Sequence, residues 1–128
     1  MVGKIDMTSY LRGIRGATVA ESNTRDAILA ATDELLRSVL SKNALKTDDI
    51  ASIFFSVTQD LDAEFPAVAA RNLGLANTPL LCLNEIPVKN SLGRCIRILI
   101  HANLDIPQNA VKHVYLKEAA SLRPDVVR

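Results

Sequence analysis

Arginine side chains placed inside apolar segments are the residues of this chain best suited to chemistry. Arg97 lies in the run Cys-Ile-Arg-Ile, and Arg15 lies in the run Gly-Ile-Arg-Gly. A guanidinium keeps its charge at neutral pH, and it is costly to desolvate without an anion nearby. We therefore expect Arg97 to face either a protein carboxylate, for which Glu85 is the candidate, or an anionic ligand.

Each of the other candidate residues also has a plain structural explanation. Arg15 could be an exposed residue at a strand end, Glu85 a surface charge, Tyr115 a core ring and Arg123 a solvated tail residue. The chain has no nucleophile elbow, no phosphate-binding glycine loop and no dinucleotide fingerprint. Its two histidines and two cysteines show no metal-ligand spacing. The residues alone predict an arginine-rich anion site without covalent or metal chemistry.

Composition excludes several classes of partner. The 128 residues fit one domain over 1–128, and 48% hydrophobic content supplies a core with few aromatic rings. A net charge of +1 provides no strong basic field for nucleic acid. No run approaches the roughly 20 apolar residues of a membrane span. Residues 1–9 read as a loose leader without a signal sequence, and both cysteines lie in apolar runs as reduced thiols, so we expect a cytoplasmic protein.

Hydrophobic periodicity predicts a mixed α/β (α+β) domain. Alternating and β-branched runs predict five strands, at residues 10–14 (ending at Gly16), 50–58, 80–84, 95–102 and 111–116. Helical spacing predicts two main helices, one from an Asn23 cap to Asn43 and one over 65–73. Two helices cover only one face of a five-stranded sheet. Because the strands are apolar on both faces, we expect the second face to pack against another copy of the chain.

The motifs and their order resemble those of one enzyme family. They are Arg-Gly-Ile-Arg-Gly-Ala-Thr from residue 12, Phe-Pro-Ala from residue 65, Cys-Leu-Asn-Glu from residue 82, Cys-Ile-Arg from residue 95, His-Val-Tyr-Leu from residue 113 and Leu-Arg-Pro-Asp from residue 122. Together they are similar to the small monofunctional bacterial chorismate mutases of the trimeric α/β type. The similarity extends from about Leu11 to Asp125.

The resemblance implies a pseudo-barrel homotrimer with active sites between subunits. It implies a cofactor-free, metal-free [3,3] rearrangement of chorismate to prephenate, on the way to phenylalanine and tyrosine. Arg97 would lie beside the ether oxygen, Arg15 and Tyr115 would bind carboxylates, and Glu85 would hold the ring hydroxyl. The remaining substrate-binding residues would be Phe65, Ala67, Arg71, Leu80, Leu81, Cys82, Leu122 and Arg123, the last two in a C-terminal tail (119–128) near the site.

Two departures and three alternatives accompany the resemblance. Val68 stands where the family often has a lysine, and Leu81 stands where a threonine is common. The alternative functions are a binding module for an aromatic acid, a small imine deaminase on a similar trimeric scaffold, and a structural oligomer held by salt bridges. Turnover of chorismate by the purified chain distinguishes a chorismate mutase from these three alternatives.

Overall fold

The chain folds into a five-stranded mixed sheet with helices on one face, as the sequence predicts. The computed structural model describes residues 9–125, so the predicted leader falls almost entirely outside the described residues and the tail is described up to Asp125. The strands are β1 Tyr10–Val19, β2 Ile50–Val57, β3 Leu80–Asn84, β4 Cys95–Leu104 and β5 Val114–Tyr115, and the helices are α1 Arg25–Lys42 and α2 Ala67–Asn72. Short 3₁₀ turns span Thr47–Asp49, Gln108–Ala110 and Lys117–Leu122.

The sheet has the order β3-β2-β4-β1-β5, so β4 is its central strand, as predicted. β4 runs antiparallel to both β1 and β2, whereas the edge strands β3 and β5 run parallel to their neighbours. Antiparallel neighbours can be joined locally, but parallel pairs require a crossover. The segment that contains α2 provides the crossover between β2 and β3.

Helix α1 covers the inner face of the sheet through the predicted stripe. Ile28, Leu35 and Val39 are fully buried, and they recur at helical spacing along one side of the helix. Leu35 and Val39 pack with strand residues such as Ile14 and Ile100 and with the alanines of α2, whereas Ile28 packs in a second cluster with strand residues such as Ile96. Among residues 9–125, no helix has the length and apolar character needed to cross a bilayer.

The strand β1 is longer than predicted, because Gly16 continues the strand instead of ending it. An added Cβ at Gly16 would lie 3.1 Å from the Val114 carbonyl oxygen and 3.2 Å from both Ile98 and Leu35. Glycine therefore permits the close approach of β1 to β5 and α1. Conversely, β5 is shorter than predicted, since the backbone N–H of Arg15 donates to the ring of His113 at 3.0 Å.

The outer face of the sheet carries exposed apolar side chains. Leu81 and Leu83 of β3 are 50% and 47% exposed, and Phe54 and Leu11 also face outward. Among the described residues, one end of this face is covered, where Ala119 of the last 3₁₀ turn packs with Tyr115 and the end of β1. A monomer rarely leaves such a surface uncovered, and the packing of this face against other copies stays a prediction.

Candidate active site

A single row of residues across the outer face places Arg97 at the centre of the sheet. The pairing register puts Ser56 and Ala17 directly opposite Arg97 on its two sides. Tyr115 follows beyond Ala17, and Leu83 follows beyond Ser56. Directly paired residues share a face. The two small neighbours therefore leave room for residues farther along the row to reach the guanidinium.

Glu85 is the acidic partner of Arg97. Its Oε2 lies 3.5 Å from Arg97 Nε, and the two side chains are 23% and 44% exposed. The pairing of Arg97 with Glu85 that the sequence offered is therefore present, but it is partly exposed, because the arginine side chain projects from the outer face of the strand. The contact is longer than a charge-assisted hydrogen bond of about 2.7–2.9 Å, and it engages one nitrogen of a fork with five N–H donors. The carboxylate orients Arg97 while leaving the fork able to bind another anion.

Tyr115 and Cys95 lie in the buried part of the same face. Burial raises the pKa of the Tyr115 phenol, and the nearby positive charge of Arg97 partly offsets this effect. The phenol is therefore a neutral hydrogen-bond donor at physiological pH. Burial likewise raises the pKa of the Cys95 thiol, so this cysteine is protonated and is a poor nucleophile.

Arg15 occupies the neighbouring row of the outer face. It pairs with Leu99, two residues along β4 from Arg97, and its side chain is exposed. Its backbone N–H donates to Nδ1 of His113, and burial lowers the pKa of that imidazole below 6.5. The accepting Nδ1 requires the neutral ring, so both observations agree. Arg15 and Arg97 thus point from one surface, with Tyr115 beside them.

Six of the eight further predicted substrate-binding residues line one groove. The groove has a volume of about 320 Å³, lies between α2 and the edge strand β3, and is lined by Phe65, Ala67, Arg71, Leu80, Leu81 and Cys82. A second hollow of about 360 Å³ shares Phe65 and Cys82 with it and continues to Asn84. Together they form a trough along β3 that combines apolar side chains with one guanidinium, that of Arg71, and with the carboxylates of Asp62 and Glu64 at the far end.

The last two predicted residues lie in the C-terminal segment. Leu122 packs against the cluster that contains Tyr115. Arg123 donates from Nε and Nη2 to the two carboxylate oxygens of Asp125, at 2.9 and 2.8 Å. Arg123 is therefore paired with a carboxylate two residues farther along the chain.

The structure brings the predicted residues together as two surfaces. Arg97, Glu85, Arg15 and Tyr115 share the outer face of the sheet, whereas Phe65 and the other groove residues line the trough along β3. Neither hollow of the trough is lined by Arg97, Arg15 or Tyr115.

Sequence reasoning missed the small residues that flank Arg97. Ser56 and Ala17 are neighbours of this side chain only through strand pairing, so no local signal could have identified them. The sequence also predicts no metal centre. Within residues 9–125, no three side chains of His, Cys, Asp or Glu are grouped so that they could hold a metal ion.

Comparisons with known proteins identify the family to which the chain belongs. The family model for chorismate mutase type I matches residues 11–126. The chorismate mutase AroH of Thermus thermophilus is 49% identical over 117 residues, which cover 91% of this chain and 96% of the relative. The AroH of Bacillus subtilis is 41% identical, covering 91% of this chain and 92% of that protein.

A solved chorismate mutase structure has a fold similar to that of this chain. The chorismate mutase from Clostridium thermocellum superimposes with a TM-score of 0.84 at 52% identity, covering 85% of this chain and 97% of the other. The predicted fold class and family are therefore both confirmed. The chain belongs to the type I chorismate mutase family.

Proposed function

We propose that the chain converts chorismate to prephenate without a cofactor, and that Arg97 supplies the main catalytic interaction. The observation that carries this proposal is the position of Arg97: it projects from the central strand, beside Glu85 and close to Tyr115. The membership in a chorismate mutase family names the substrate that such a cationic surface receives.

The reaction limits which catalytic effects can operate. Chorismate carries two carboxylates, and its rearrangement involves one molecule in a compact, chair-like geometry. Proximity of two reactants therefore contributes nothing beyond restriction of conformation. Since no proton moves, no general base is needed. As the C–O bond breaks, negative charge develops on the ether oxygen, so fixed positive charge at that oxygen is the effective device.

Each residue of the outer face has a role in this scheme. Arg97 donates to the ether oxygen and to a carboxylate through its planar fork. Glu85 accepts from the ring hydroxyl and holds the guanidinium in place. Tyr115 donates its phenol hydrogen to a carboxylate, which its raised pKa permits. Arg15, in the adjacent row, binds a carboxylate.

The trough along β3 completes the site from a second subunit. It supplies apolar contact for the ring and one cation, Arg71, for a carboxylate. The exposed side chains of Leu81 and Leu83 favour contact with another copy, and a homotrimer lets every trough meet the Arg97 surface of a neighbour. The tail closes the site when a substrate carboxylate replaces Asp125 on Arg123. The single-domain organisation and the cytoplasmic location remain predictions from the sequence.

Turnover and subunit mixing test the two parts of the proposal. Loss of the ultraviolet absorbance of chorismate, in the presence of the purified chain, measures the activity directly. No turnover would exclude the enzyme and leave the binding or structural alternatives.

For the shared site, inactive Arg97→Ala and Arg71→Ala chains are unfolded together, refolded and assayed. Random mixing gives wild-type pairs of surfaces at about a quarter of the interfaces, so activity of that order should return. Mixing Arg97→Ala with Glu85→Ala, which damage the same surface, is the control and should restore nothing. If the first mixture also restores nothing, the site lies within one chain.

A further inference from the structure

A carboxylate outside the predicted site fixes the junction between β2 and β4. Both oxygens of Asp60 accept from the backbone N–H of Arg94, at 3.1 and 2.9 Å. Asp60 Oδ1 also accepts from the hydroxyl of Thr58, and this hydroxyl in turn accepts from the backbone N–H of Cys95 at 3.0 Å. The Thr58 hydrogen bond is the main cause that lowers the pKa of Asp60, so this carboxylate is ionised at neutral pH.

The backbone at this junction is held in an unusual conformation. Arg94 has a φ of 46°, in the left-handed region that non-glycine residues rarely adopt. The preceding Gly93 leaves space that a side chain would take, since an added Cβ would lie 3.0 Å from Asp60 Oδ2. Such a conformation persists only where the surroundings enforce it. Here, the hydrogen bonds to Asp60 enforce it.

The same junction carries both members of the proposed catalytic pair. Arg94 directly precedes β4, three residues before Arg97. Its carbonyl accepts from the backbone N–H of Ala20, which follows β1, at 2.9 Å, and its Nε donates to the carbonyl of Ala20 at 3.0 Å. The backbone N–H of Glu85 bonds to the carbonyl of Val57 at 2.8 Å, directly before Thr58. A shift at the junction therefore moves Arg97 and Glu85 relative to each other.

We propose that Asp60 is a positioning residue for the reaction, which sets the geometry of Arg97 and Glu85 by fixing the start of β4 against the end of β2. This inference rests on the proposed function of Arg97. A carboxylate is suited to the task because it accepts from a strained backbone N–H and from a hydroxyl at the same time.

Three variants distinguish a positioning role of Asp60 in catalysis from a contribution to folding stability alone. Asp60→Ala removes all three hydrogen bonds, and a misplacement of about 1 Å can cost up to about 100-fold in rate, so we expect kcat to fall between about 10- and 100-fold with little change in KM. Asp60→Asn keeps an oxygen for the Arg94 N–H and an amide donor for Thr58, so it should retain most of kcat. Thr58→Val breaks only the bond to Cys95 and the bond to Asp60, and it should give an intermediate kcat. It also keeps the test open if Asp60→Ala does not fold.

Matched controls identify what a purely structural role would produce. Val39→Ala removes buried volume from α1 far along the chain and lowers stability without touching the junction. Asp33→Asn removes a carboxylate that is paired with Arg37 on the surface of α1. All variants are assayed well below their unfolding midpoints, and both controls should keep the wild-type kcat.

The outcomes decide between the two proposals. Wild-type kcat in Asp60→Ala, an equal loss in Val39→Ala, or an Asp60→Asn variant as slow as Asp60→Ala would overturn the positioning role. Arg97→Ala is assayed alongside. If that variant turns over chorismate normally, the proposed function of Arg97 fails, whatever the Asp60 variants do.

Discussion

Replacing Arg97 by alanine should reduce catalysis far more than it reduces stability. The ion pair with Glu85 joins side chains that are 44% and 23% exposed, with 3.5 Å between the charged atoms. At that separation, the attraction in a water-like dielectric is about 1 kcal/mol. Measured values for exposed pairs range from about 0 to 1 kcal/mol, since holding two side chains together costs entropy. We therefore expect Arg97→Ala to lower the melting temperature by a few degrees at most.

The effect on the transition state is expected to be several times larger. Loss of one preorganised donor at a developing oxyanion costs about 10²–10³ in kcat, or about 2.7–4 kcal/mol. Arg97→Lys keeps the charge but loses the planar fork, so it should recover only part of this loss. The predicted signature is a large fall in kcat for Arg97→Ala, a smaller fall for Arg97→Lys and nearly equal stabilities.

The assay follows the ultraviolet absorbance of chorismate with purified chains, and thermal unfolding is measured on the same samples. Arg37→Ala is the matched control, because it removes another exposed arginine with a carboxylate partner, Asp33, at 2.9 Å. It should leave kcat unchanged. Turnover by Arg97→Ala close to that of wild type would refute the role of the guanidinium. A large loss of stability in this variant would refute the estimate of a weak ion pair.

Three further predictions concern the surroundings of Arg97. Glu85→Ala should raise KM and lower kcat, since it removes both the hydroxyl acceptor and the partner of Arg97; unchanged steady-state constants would exclude this role. Gly16→Ala should destabilise the fold by about 1–3 kcal/mol in denaturant titrations, because its methyl group meets the Val114 carbonyl at 3.1 Å, and unaltered stability would contradict the close packing. Burial lowers the pKa of His113 below 6.5, so the folded state favours the neutral ring, and this residue reduces stability as the pH falls below 6.5 but has no such effect above it. His113→Gln should therefore lose less stability than wild type when the pH is lowered from about 7.5 to about 5. If the urea unfolding midpoints of the two proteins fall by the same amount over this range, the protonation of His113 does not contribute to the pH dependence of stability.

The ends of α1 illustrate where local prediction stops. The sequence predicts Asn23 as the N-cap, but Thr24 caps the helix by accepting from Ala27 N–H at 3.1 Å. Asn23 instead holds the loop at Asp62 through its side-chain amide. At the other end, Asn43 follows the helix as predicted, and the next residue, Ala44, adopts the left-handed conformation with a φ of 49°. The side chain of Asn43 bonds to Lys112 at both polar atoms. In both cases a distant segment takes the side chain that local rules assign to the cap.

The ion pair between Arg97 and Glu85 could be predicted, but the surroundings of the pair could not. Arg97 and Glu85 could be paired from the sequence because one is a charged residue in an apolar strand and the other is the nearest acid at a strand end. Their exposure could not be predicted, since it depends on which face of β4 the helices cover. The Asp60 junction could not be predicted either, because it joins residues 34 positions apart.

The amino-acid sequence by itself determined the elements of this protein and the residue types that could bind an anion. Hydrophobic periodicity is a local property, so α1, β2, β3 and β4 follow from it within a few residues. Tertiary structure alone decided that Arg97 stands in one row with Ser56, Ala17 and Tyr115, and that the groove residues lie on a separate surface. These are consequences of strand order and register, which depend on contacts between segments far apart in the chain.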